Sequence, residues 1–171
     1  MSEMFSGASC KGPDVDVVLL GLENWDTSKV ENMTYMFVSA FNLDSNIDLS
    51  GITNWDVSNV KYANEALAGI NPRSDSFELD LSGWNLASII EMDGFLAGTP
   101  KLTKLTLGPN FKFVDAVLAE YDSTPYLSAP THALSDGSGL WYIEGTNIGI
   151  APEDVHKNAT ETITYVVYPT N

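Results

Sequence analysis

The chain of 171 residues is long enough for one domain with a buried core, and a hydrophobic fraction of 44% excludes disorder of the whole. Twenty-three acidic residues against eight basic ones give a formal charge of −15, a field that makes nucleic acid and anionic membrane surfaces poor partners. No apolar run approaches the roughly 20 residues that span a bilayer, and a single cysteine, Cys10, excludes an internal disulfide and a four-cysteine metal site.

In chain order, the first residues MSEMFSG (1–7) lack the basic start and apolar middle of a signal peptide. They align instead with MTYMFVS (33–39), so the chain begins inside a repeat, and a longer natural protein is expected. The segment VDVVLLGL (15–22) alternates apolar and polar positions and predicts a short strand with one covered face. Its register is open by one residue. WDTSKVENMTYMF (25–37) follows, and its Ser28-Lys29-Val30-Glu31 has a capping-box pattern. Val30, Met33 and Phe37 then fall at i, i+3 and i+7, with Met36 beside them, which predicts a helix with one apolar stripe.

The same order returns twice. NIDLSGI (46–52) precedes WDVSNVKYANEAL (55–67), and FELDLSG (77–83) precedes WNLASIIEMDGFL (84–96). Trp25, Trp55 and Trp84 stand at steps of 30 and 29 residues in a chain with four tryptophans, and a fixed period marks one supersecondary unit being stacked. Asp26, Asp56 and Asn85 sit beside them and are alternative caps for the same turn. Gly69 and Gly98 stand where a helix closes in a left-handed residue. The three indoles are expected to be buried at equivalent places. Strand, turn, short helix and return predict an α/β solenoid with a parallel strand layer and short helices, spanning residues 1–113.

From Val114 the period stops, and residues 122–139 have the Ser, Thr, Pro, Gly and Asp content of a loop. LWYIE (140–144) and ETITYVVYP (161–169) read as strands. Residues 114–171 are therefore expected to form a small β element that caps the C-terminal edge.

The phrases Leu79-Asp80-Leu81-Ser82, Trp25-Asp26-Thr27-Ser28-Lys29-Val30 and Met33-Thr34-Tyr35-Met36-Phe37 resemble the repeat of the BspA-like leucine-rich-repeat family of bacterial surface proteins. The resemblance covers roughly residues 1–113. It implies a leucine-rich-repeat-like fold and a secreted or cell-wall-associated protein engaged in adhesion, as a fragment of a longer surface protein. The repeat here is longer than the family's, Ala63-Asn64-Glu65-Ala66-Leu67 departs from its Met-rich phrase, and no wall-anchoring motif is present.

Signals of catalysis are weak. No Gly-x-Ser-x-Gly, Walker loop or dinucleotide fingerprint occurs. Glu153 and His156 have the Glu-x-x-His spacing of di-iron bundles, but no second pair accompanies them, since Ala129 stands three residues before His132. They read as a solvated surface pair. The stretch from Asp44 begins like a calcium loop yet has Leu49 and Trp55 where Gly and Glu are required. No cofactor and no metal site is expected.

On the strand face the polar residues that alternate with buried Leu and Ile point outward, which selects Asp48, Ser50, Glu78, Asp80, Lys104 and Thr106 as a binding patch. The function expected from it is noncatalytic: recognition of an extracellular protein or host-matrix component. Two alternatives stand beside it. One is a glycan-binding module that uses the C-terminal aromatics Trp141 and Tyr142, and the other is a structural spacer of a larger surface protein.

Overall fold

The structure is a computed structural model that describes residues 1–8, 17–19, 21–40, 47–72, 74–114, 126–131 and 134–170. Cys10, His132 and the Asp44 stretch lie outside the described residues. Two short parallel strands, β1 (Val17–Val18) and β2 (Ile47–Asp48), pair with each other. A second sheet has the order β3-β4-β7-β5-β6, from β3 (Phe77–Leu81), β4 (Leu102–Leu107), β5 (Trp141–Ile143), β6 (Gly149–Ile150) and β7 (Ile163–Val166). Only its β3–β4 pair is parallel, and every other pairing is antiparallel. Strand β3 shows the alternation its sequence dictates, with Phe77, Leu79 and Leu81 buried and Glu78 and Asp80 exposed. β7 runs along the outer edge of β4, so the last parallel strand has no open edge on that side.

The expected α/β leucine-rich-repeat solenoid is not what forms. The architecture is a mixed five-stranded sheet and a two-stranded pair, and the described residues hold three 3-10 turns and no α-helix. The segments read as helices are chains of tight turns. Tyr35 and Ser39 in one copy, Glu65 and Gly69 in the next, and Gly94 and Gly98 in the third all have positive φ, between 50° and 67°. A left-handed residue every fourth position ends any right-handed helix before one turn closes.

Backbone amides show where the hydrogen bonds went instead. In the first copy Met33, Tyr35, Phe37 and Ser39 donate to the carbonyls of Tyr62, Asn64, Ala66 and Ala68 of the next copy. Ala63, Glu65, Leu67 and Gly69 repeat this toward Glu91, Asp93, Phe95 and Ala97. Amides between them close local turns, as Met36 does on Met33 and Ala40 on Phe37. The sequence period is thus a hydrogen-bonded ladder between copies. A four-residue turn period buries positions i, i+3, i+4 and i+7, here Met33, Met36, Phe37 and Ala40, and so imitates a helical stripe.

Ser28 and Glu31 form no capping box. Asp26 Oδ1 accepts from the Ser28 amide and hydroxyl at 3.1 and 2.5 Å, Asp56 does the same for Ser58, and Asn85 accepts from the Ala87 amide. Those bonds hold the Asp26 and Asp56 carboxyls below the usual carboxylate range, with the serine hydroxyl as the main cause. Copies approach closely on the strand side: a Cβ on Gly83 would lie 2.4 Å from the Thr53 carbonyl oxygen, and one on Gly108 would lie 2.0 Å from that of Ser82. Only glycine fits these contacts.

Two of the three repeat tryptophans are core. Trp55 and Trp84 are each 2% exposed, and their Nε1–H groups donate to Leu22 O at 2.7 Å and Ile52 O at 2.8 Å, in the turn of the preceding copy. Trp25 departs from the expectation at 37% exposed. It stacks between Phe5 and Trp55 at the end of the ladder, where no turn of a preceding copy lies on it among the described residues.

Candidate functional site: the groove on the strand face

All six residues of the sequence-derived patch line one groove. Its volume is about 600 Å³, and Asp48, Ser50, Glu78, Asp80, Lys104 and Thr106 all contribute to its wall. The register accounts for this. Glu78 pairs with Lys104 and Asp80 with Thr106 across the parallel β3–β4 ladder, which puts all four side chains on the face opposite the buried Leu79, Leu81, Leu105 and Leu107. Asp48 and Ser50 enter from the end of β2 and the turn after it.

Asp48 Oδ1 accepts from the Ser50 amide at 2.8 Å, and the Ser50 side chain, then its amide, hold the carboxyl below the usual range. Asp80 Oδ1 accepts likewise from the Ser82 amide at 2.8 Å. These aspartates are fixed in position as acceptors aimed along the face. Lys104 is the cation among the described lining residues, and its Nζ lies 2.9 Å from Glu144 Oε1. That hydrogen bond raises the Lys104 ammonium above its ordinary range. The groove therefore presents carboxylates while its lysine is engaged at the rim.

Groups around the groove that the sequence did not make legible include Thr164, Thr53 and Glu144. Thr164 on β7 faces Thr106, with hydroxyl oxygens 3.1 Å apart, and Thr53 donates its hydroxyl to Asp80 O at 3.0 Å. Glu144 follows β5. Thr164 reaches β4 through the sheet order, Glu144 through its ion pair with Lys104, and Thr53 from the turn after β2 through its bond to Asp80 O, so no local spacing announces them.

The aromatic alternative is placed elsewhere. Trp141 is 2% exposed with Nε1–H on Ser128 O, and Tyr142 is buried with its hydroxyl on Asp136 Oδ2 at 2.5 Å. Neither ring offers a face for a sugar to stack on. His156 is also buried, contrary to the solvated pair expected from its spacing. Its Nε2 lies 2.7 Å from Gly108 O and its Nδ1 3.1 Å from the Tyr165 hydroxyl. A carbonyl only accepts, so Nε2 carries the proton and Nδ1 accepts from Tyr165. Gly108 stands three residues before Phe111 as Leu22 and Ile52 stand before Trp25 and Trp55, and each aromatic amide closes on that carbonyl. The imidazole thus takes the place of a next copy's indole N–H. Burial pushes the His156 pKa down and the Tyr165 hydroxyl up to about 12.

Among the described residues no three His, Cys, Asp or Glu side chains are grouped to hold a metal ion, and no helix is long and apolar enough to cross a membrane. No curated protein and no solved structure matches the chain. The family match overturns the BspA-like leucine-rich-repeat resemblance: over residues 1–119 the sequence fits a different family. The chain belongs to the family described as Mycoplasma protein of unknown function, DUF285.

Proposed function

We propose that this protein is a noncatalytic binding module that receives a cationic, hydrogen-bond-rich protein segment in the groove on its strand face. The observation that carries the reading is the convergence of Asp48, Glu78 and Asp80 on one concavity whose lysine is already paired with Glu144. Fixed carboxylates in a groove steer a positively charged partner and set its register more than they add raw affinity. Flanking hydroxyls of Ser50, Thr106 and Thr164 supply donors and acceptors for the partner's backbone. The net charge of −15 acts in the same direction over longer range.

The test is the triple variant Asp48→Asn, Glu78→Gln, Asp80→Asn, which keeps shape and removes three charges. Binding of a lysine-rich peptide is compared between the variant and the parent chain at two salt concentrations. Exposed charge pairs contribute about 0.2–1 kcal/mol each, so the variant should bind about tenfold more weakly and with a flatter salt dependence. Equal affinity and equal salt dependence in the two proteins would remove the groove from consideration.

A further inference from the structure

We propose that the Trp25 end of the ladder is a docking surface for a strand-and-turn segment of the same repeat class. The chain itself shows twice what covers such a surface. Trp55 donates its indole N–H to Leu22 O and Trp84 donates to Ile52 O, and both rings are buried by that turn. Trp25 holds the same place in its copy, with Phe5 stacked at 6.0 Å on one side and Trp55 at 5.9 Å on the other. Its Nε1–H has no acceptor among the described residues.

Residues 1–8 cover half of this end. Glu3, Phe5 and Gly7 donate their amides to Thr34, Met36 and Val38, one copy on, and the N-terminal ammonium donates to Asn32 O. Met1 therefore stands where Met33 and Ala63 stand in later copies. What those later copies add beside the turns, a strand and a 3-10 turn over the tryptophan, has no counterpart on Trp25 among the described residues. The occupant's chemistry follows: an apolar turn whose carbonyl, three residues before its own aromatic, reaches the Trp25 N–H, as Leu22 and Ile52 do within the chain.

A second copy of the chain fits poorly. The carbonyls of Ser2, Met4 and Ser6 receive no amide among the described residues, so two such ends face to face would set acceptors against acceptors. At the other end Tyr126 O and Ser128 Oγ take the ladder amides of Leu96 and Gly98, and His156 takes Gly108 O. The charge of −15 opposes self-association as well. The occupant is a segment with a free turn carbonyl.

The experiment places a copy of residues 47–62 directly before Met1 of the full chain, in register because Ala63 and Met1 are equivalent. The appended copy carries Trp55→Phe, so that no new indole is introduced. Trp55, Trp84 and Trp141 are each 2% exposed, which leaves Trp25 as the indole that acrylamide reaches. The extended chain should lose that quenchable component, whereas an extension of shuffled order should leave it unchanged. A free peptide of the same sequence, titrated into the unextended chain, gives a second reading that does not depend on how the fusion folds. Full quenching of Trp25 in both the fusion and the peptide titration would overturn the proposal. So would equal protection by the shuffled extension, or protection in the parent chain that rises with its own concentration and marks a second copy as the occupant.

Discussion

Replacing each repeat tryptophan by phenylalanine separates the indole hydrogen bond from ring packing. Phe is the natural control, because Phe111 fills the corresponding place in the last copy and is buried there. At Trp55 and Trp84 the change removes a donor and leaves Leu22 O or Ile52 O buried beneath a smaller ring. Each carbonyl keeps the backbone amide of Trp25 or Trp55, so the lost indole bond costs about 0.5–1.5 kcal/mol, and the lost ring volume adds about 1 kcal/mol. Each variant should lose about 1.5–2.5 kcal/mol. Trp25, at 37% exposed and with no such bond among the described residues, should lose under about 1 kcal/mol. The difference of about 1 kcal/mol corresponds to about 2–4 °C in thermal midpoint for a chain of this length. Urea unfolding followed by far-ultraviolet circular dichroism measures it, with the slope m expected to be the same in all variants. Equal losses at the three positions, or the largest at Trp25, would refute the assignment of the indole bonds.

Gly83→Ala should destabilise by more than about 2 kcal/mol, because its Cβ would meet the Thr53 carbonyl at 2.4 Å; a cost below half of that, by the same urea assay, would deny close contact between copies. Glu65→Gly should stabilise by about 0.5–1 kcal/mol, since Glu65 has φ 50° where the third copy has Gly94; a loss of stability would argue for a helix there. His156 makes stability pH-dependent. Its folded pKa lies below 6.5 because burial disfavours the charged ring, so the unfolded chain binds the proton first, and stability is full above about pH 6.5 and declines as pH falls below it. Lys112, Glu153 and Lys157 line the cavity beside it. His156→Gln should flatten that decline between pH 7 and 5, and an unchanged slope would assign it to another group.

Strands were the legible part of the fold. The alternation in residues 77–83 marked β3 and its inward Leu79 and Leu81 correctly, and with it the outward set that the groove brings together. The turns were not legible as turns, because a four-residue period buries the same positions as a helical stripe. A column of glycines at Gly7, Gly69 and Gly98, with Gly94 inside the third copy, carried the missing signal: these are the left-handed places. Trp25 was equated with Trp55 and Trp84 because periodicity records what a residue is, while burial depends on what stacks above it. His156 had no local signal at all. Its role comes from Gly108, 48 residues away, through a carbonyl that a tryptophan serves in earlier copies.

Reception of a cationic protein segment by the acidic groove is read from amide chemical shifts of the parent chain titrated with a lysine-rich peptide and, separately, a glutamate-rich peptide of equal length. Shifts are expected in the groove alone, at Ser50, Glu78, Asp80, Thr106 and Thr164, with the lysine-rich peptide alone and weakening as salt rises. Shifts absent from these amides, centred instead around Trp141 and Tyr142, or equal for the two peptides would contradict it.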